Sequence, residues 1–121
     1  MSNRLDGPER CCEVDLEAIG YDGHHAAEDL KEWHRRGLRP TTQELIDALL
    51  AEGIAGARLL DIGAGVGTVH LTLLEAGAAS AVDVDASQEY LDAARSEATR
   101  RGAWSNGWST CTATSLRSPS N

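Results

Sequence analysis

Apolar and polar positions alternate with different periods along the chain, and each change of period predicts an element. Residues 1–23 show weak periodicity and read as an irregular lead-in. From His24 to Arg36 no breaker intervenes, and Ala27, Leu30, Trp33 and His34 recur at helical spacing. Gly37 stops that helix, and Pro40 keeps the residue before it out of helical geometry. Thr41-Thr42-Gln43-Glu44 fits a capping box, which predicts a second helix start at Thr41. Its stripe runs through Leu45, Ala48, Leu49 and Glu52, is widened by Ile46 and Leu50, and ends at Gly53.

A strand is predicted from Ala57 through Leu59, Leu60 and Ile62. It breaks into glycines at every second position, Gly63, Gly65 and Gly67. A helix follows over about Thr68–Ala76, closed by Gly77. Ala78–Asp85 alternates small or apolar residues with Asp and reads as the second strand. Ser87 is placed to cap a third helix over Gln88–Arg101, with Leu91, Ala94, Arg95 and Ala98 along one side. After Gly102 the periodic pattern is lost, and no helix or strand is predicted for Ala103–Asn121.

Two β-α units in series imply an α/β fold, a partial doubly wound parallel sheet preceded by N-terminal helices. The strand–glycine turn–helix order is the ligand-cradling corner of such a sheet. Glycines there permit positive φ and let a ligand approach main chain where a Cβ would clash. The free N–H groups that open the next helix add donors aimed at the same place.

Composition narrows the function. With 121 residues the chain has room for one domain, and with no Phe and 4% aromatics its core must be built mainly from Leu, Ile, Val and Ala. A formal net charge of -8 argues against a nucleic-acid partner, which needs a concentrated basic face. No apolar run is long enough to span a membrane, and the polar first residues do not read as a signal peptide. The three cysteines form no disulfide framework, so a reducing, cytoplasmic setting is expected. Cys11 and Cys12, with only His24-His25 nearby, read as free thiols, and no metal site is expected. His34 and His70 show no sequence partner and read as solvated or packing residues. Glu89, Asp92, Glu97, Arg100 and Arg101 read as the solvated face of a helix.

Asp61-Ile62-Gly63-Ala64-Gly65-Val66-Gly67 resembles the D/E-x-G-x-G-x-G signature of class I, Rossmann-like S-adenosylmethionine-dependent methyltransferases. Ala81-Val82-Asp83-Val84-Asp85-Ala86-Ser87-Gln88-Glu89-Tyr90-Leu91 resembles the family's second strand, its acidic end and the following helix. The likeness covers roughly Arg35 to Gly102. It implies S-adenosylmethionine as cofactor, with Asp61 helping to hold its cationic amino-acid end and Gly63, Ala64, Gly65 and Gly67 lying along it. It further implies Asp85 as acceptor for the ribose hydroxyls and Ala86 near the adenine. Asp85 rather than Asp83 falls at the family position. Catalytic residues are not identifiable. Tyr21, Trp33, Arg35 and Arg36 precede the core where related enzymes often carry a lid. A nicotinamide-type fingerprint would need glycine at Thr68, and no Gly-Lys-Ser/Thr follows for a P-loop.

On this resemblance the chain divides into a lead-in and helix (1–40), a partial cofactor-binding domain (41–102) and an irregular tail (103–121). The family's third strand should follow at Ala103. If the codons of the tail are regrouped from each third base, permitted choices can spell an apolar strand ending in a Gly-Asp turn, so a frameshifted product is expected. The expected function is the cofactor-binding part of a methyltransferase acting on a small-molecule acceptor, truncated and inactive alone. An uncovered sheet edge would favour self-association. The alternatives are a non-catalytic module that pairs through that edge, or an NAD-type dinucleotide-binding fragment.

Overall fold

A computed structural model of the chain describes residues 23–112. Helices α1 (Gly23–Arg36) and α2 (Pro40–Glu52) precede strand β1 (Arg58–Ile62). Helix α3 (Thr68–Glu75) leads to β2 (Ser80–Asp85). Helix α4 (Gln88–Arg101) and a 3-10 turn (Ala103–Asn106) lead to β3 (Trp108–Thr112). The sheet is three-stranded and parallel in the order β1-β2-β3, with Asp61 in register with Asp83 and Asp85 with Thr112. This is the predicted partial doubly wound sheet, extended by one strand.

Helix α3 packs on β1 and β2, α4 on β2 and β3, α1 against α4, and α2 against α3. Leu71, Leu73, Leu74, Ala94, Ala98 and Ala81 are buried together between helices and sheet, the aliphatic core that a chain without Phe requires. On the other face, Leu60 and Ile62 of the edge strand β1 stand 64% and 69% exposed, whereas Val84 on the neighbouring strand is covered.

Two expectations need correction. Helix α2 does not start with a capping box at Thr41. Pro40 occupies the first helical turn, and the cap position falls on Arg39, which makes no side-chain cap bond. Proline is suited to that place because its missing N–H would have no partner and its φ is already helical. The segment after Gly102 also has structure. Gly107, at φ 80, turns the chain so that Ala81 N–H donates to Gly107 O at 3.2 Å, and β3 then pairs with β2. Trp108 anchors it, 3% exposed and edge-on to Trp104 at 4.8 Å. The strand pattern Trp-Ser-Thr-Cys-Thr has no apolar alternation because only Trp108 goes into the core.

Candidate functional site

The bend between β1 and α3 is held by main-chain bonds. Gly63 N–H donates to Val84 O at 2.7 Å and Gly67 N–H to Ala64 O at 3.1 Å. Gly63, Gly65 and Gly67 all take positive φ, at 71, 62 and 94°. They differ in what surrounds them. A Cβ on Gly63 or Gly65 would meet nothing within 4 Å, so these two line an open hollow. A Cβ on Gly67 would press on Leu71 Cδ1 at 3.0 Å and on the His70 ring at 3.1 Å.

The end of β2 reaches into the same bend. Asp85 accepts from Gly65 N–H through Oδ2 at 3.1 Å and from Ser87 N–H through Oδ1 at 2.9 Å. Each carboxylate oxygen keeps a second lone pair for another donor. Asp61, one residue before the end of β1, is partly exposed and touches His70 Nδ1 through Oδ2 at 2.8 Å. Ala64 is half-buried in the bend, and Ala86 is exposed just past Asp85. Parallel pairing therefore brings Asp61, the glycine bend and Asp85 to one rim, with Gly65 and Asp85 in direct contact.

Beneath this rim lies a buried polar cluster that sequence spacing did not reveal. His70, read from sequence as solvated or packing, is 1% exposed and has partners on all three strands. Besides Asp61 on β1, its Nε2 accepts from Trp108 Nε1–H on β3 at 2.9 Å and lies 3.8 Å from Asp83 Oδ2 on β2. Asp83 is fully buried, and neither of its oxygens has a hydrogen-bond partner. Burial raises its carboxyl to about 7. The His70 ring opposes that rise, while Asp61 and Asp85 add to it.

A second cluster corrects the solvated reading of α4. Glu97 is 2% exposed and receives bonds from Arg100 and Arg101 on its own helix and from His34 on α1. Burial pushes its carboxyl up, but the bonds from Arg100, Arg101 and His34 together outweigh that and hold it at about 2. Arg101 also stacks on Trp33 at 4.1 Å. Of the residues considered for a lid, Trp33 is thus anchored in the core, Arg35 and Arg36 are exposed, and Tyr21 lies outside the described residues.

A cavity of about 140 Å³ opens between the α1–α2 corner and the bend, with Trp33, Leu38 and Arg39 on one side and Ala64, Gly65 and Thr68 on the other. That is below the roughly 300–1,000 Å³ usual for ligand pockets. Neither Asp61 nor Asp85 lines it, so a nucleoside held by both carboxylates would lie mainly along the open rim. Among the described residues no group of three or more His, Cys, Asp or Glu could hold a metal ion. No helix among them is long and apolar enough to cross a membrane. Cys11 and Cys12 lie outside the described residues.

No family profile matches the chain. Ribosomal protein L11 methyltransferase of Ectopseudomonas mendocina (strain ymp) is 36% identical over 66 residues, 54% of this chain and 23% of the relative. Its counterpart in Pseudomonas aeruginosa (strain LESB58) gives the same identity over 22% of its length. The chain therefore spans about a quarter of the curated relatives it matches. In fold it is similar to magnesium protoporphyrin IX methyltransferase from Synechocystis PCC 6803, solved with bound SAH. The TM-score is 0.58 at 21% identity, covering 81% of this chain and 51% of that one. The relatives found for this chain are methyltransferases, and its parallel α/β sheet matches part of a Rossmann-like methyltransferase fold.

Proposed function

We propose that the rim formed by Asp61, the Gly63–Gly67 bend and Asp85 binds S-adenosylmethionine, and that the whole protein transfers its methyl group to a small-molecule acceptor. The observation that carries this reading is the Gly65 N–H to Asp85 Oδ2 bond at 3.1 Å, which draws the second carboxylate over the glycine bend. The donor set suits the cofactor. Asp61 would receive the ammonium of its amino-acid end, and the free lone pairs of Asp85 would accept the two ribose hydroxyls. The open space over Gly63 and Gly65 would admit the chain that joins them. When bound, the cofactor supplies an electrophilic methyl on a sulfonium.

The residues described here would fix position and field rather than exchange protons. Two carboxylates at one rim favour a cation, and the bend orients it without bulky side chains. The walls around the acceptor would come from outside the described residues, and this chain alone is expected to bind the nucleoside weakly and not to turn over. The test is calorimetric titration of S-adenosylhomocysteine into the full chain and into Asp85→Ala. Loss of the two ribose bonds should weaken binding by about tenfold or more, at roughly 1 kcal/mol each. Equal heats from both proteins would remove the ribose assignment.

A second reading, pairing of the chain with another strand, is favoured by Leu60 and Ile62 on the edge strand β1, exposed at 64% and 69%.

A further inference from the structure

His70 joins the end of β1 to both of the other strands, and its environment dictates which of its nitrogens bears hydrogen. An indole N–H can only donate. Trp108 Nε1–H reaches His70 Nε2 at 2.9 Å, so that nitrogen must be bare and accept. The ring hydrogen is then on Nδ1, where it donates to Asp61 Oδ2 at 2.8 Å. The opposite tautomer would set two donors against each other at Trp108 and two acceptors against each other at Asp61. The clash at Trp108 would be buried and the one at Asp61 partly so, and unmade bonds are costly there.

The other group able to draw a proton onto Nε2 is Asp83, 3.8 Å away. Its pull is weak, because burial keeps that carboxyl largely protonated below about 7. The ring itself cannot drift. It is 1% exposed and lies under Gly67, where even a methyl group would touch it at 3.1 Å.

We propose that His70 is a positioning residue for the ligand's ammonium. The Trp108 indole selects the Nδ1–H tautomer, and that N–H pins Asp61 Oδ2 so that Oδ1 stays turned to the rim. The inference rests on the reading of Asp61 as the ammonium's partner. It adds that the carboxylate is aimed through a relay running from β3 to α3 to β1. A side chain on β3, buried beneath the rim, would then tune the affinity there.

The test has two arms. In the first, a long-range ¹H–¹⁵N spectrum of the full chain, compared with Trp108→Phe, reads the ring. A bare Nε2 and a protonated Nδ1 are expected in the parent, and a mixture of tautomers in Trp108→Phe. A parent ring with hydrogen on Nε2 overturns the proposal. In the second arm, S-adenosylhomocysteine is titrated into the parent, His70→Asn and His70→Leu, each checked for a cooperative thermal melt. The Asn amide can take the place of Nδ1–H, so His70→Asn should bind within about threefold of the parent, and His70→Leu about tenfold more weakly. Should His70→Leu fail to melt cooperatively, Trp108→Phe takes its place, with about threefold weaker binding expected. Equal affinity of parent and variants overturns the positioning role while leaving the rim assignment standing. A parent that takes no ligand overturns the rim assignment, and the role of His70 falls with it, whatever the tautomer.

Discussion

Asp83 and Glu97 are both almost wholly buried, yet their surroundings drive them in opposite directions. Glu97 is surrounded by donors and held at about 2, against an ordinary value of 4.5. Its contribution to stability is therefore complete above pH 4.5 and is lost as pH falls toward 2, on the order of 3 kcal/mol. Asp83 has no donor and is raised from 3.8 to about 7. Its penalty is absent below 3.8 and grows as pH rises through 7, to on the order of 4 kcal/mol. Together the two should place maximum stability at roughly pH 4–5, measured as urea midpoints across pH. Asp83→Asn should flatten the neutral limb and Glu97→Gln the acid limb. A stability that climbs steadily from pH 5 to pH 8 would contradict the account of Asp83. Neither environment could be read from sequence. Glu97 sits among Arg and Glu on an apparently polar helix face, and its covering residue His34 is 63 positions away. His70 likewise meets Trp108 across 38 positions.

At the scale of elements, legibility followed local chemistry. Helix α4 lay where it was predicted because Ser87 accepts from Tyr90 N–H at 3.2 Å and Gly102 takes the left-handed conformation that ends it. Replacing Ser87 with Ala should lower stability by about 1 kcal/mol in a thermal or urea melt, the usual cost of losing such a cap. An unchanged midpoint would mean that tertiary packing alone holds the helix start. The glycine bend was equally plain, since an apolar run that stops at alternate glycines marks a turn whose positive φ angles only glycine takes readily. The cap of helix α2 falls two residues before the expected one because Thr41 and Glu44 spell a capping box that Pro40 pre-empts. Strand β3 was invisible because its pairing uses backbone groups, and its one core residue, Trp108, finds partners on α3 and in the 3-10 turn. The candidate site divides in the same way. The rim residues announced themselves by spacing, whereas the cluster beneath them is assembled only by folding.

For the molecule as a whole, the two sheet faces differ in kind. One face is roofed by helices, with helix α1 tied down by polar bonds, His34 to Glu97 at 2.8 Å and Tyr90 Oη–H to Asp29 at 2.9 Å. The other face begins at an open edge with Leu60 and Ile62. In parallel register Ile62 lies beside Val84, and Val84 beside Cys111, so the thiol belongs to that second face, one residue from the end of β3. Cys111 is half-buried and free. The fold has thus fitted the bare flank with its own chemical gauge. If copies of the chain stack there, alkylation at position 111, followed by peptide mass, should slow severalfold as protein concentration rises. A rate that ignores concentration would leave that flank facing only water.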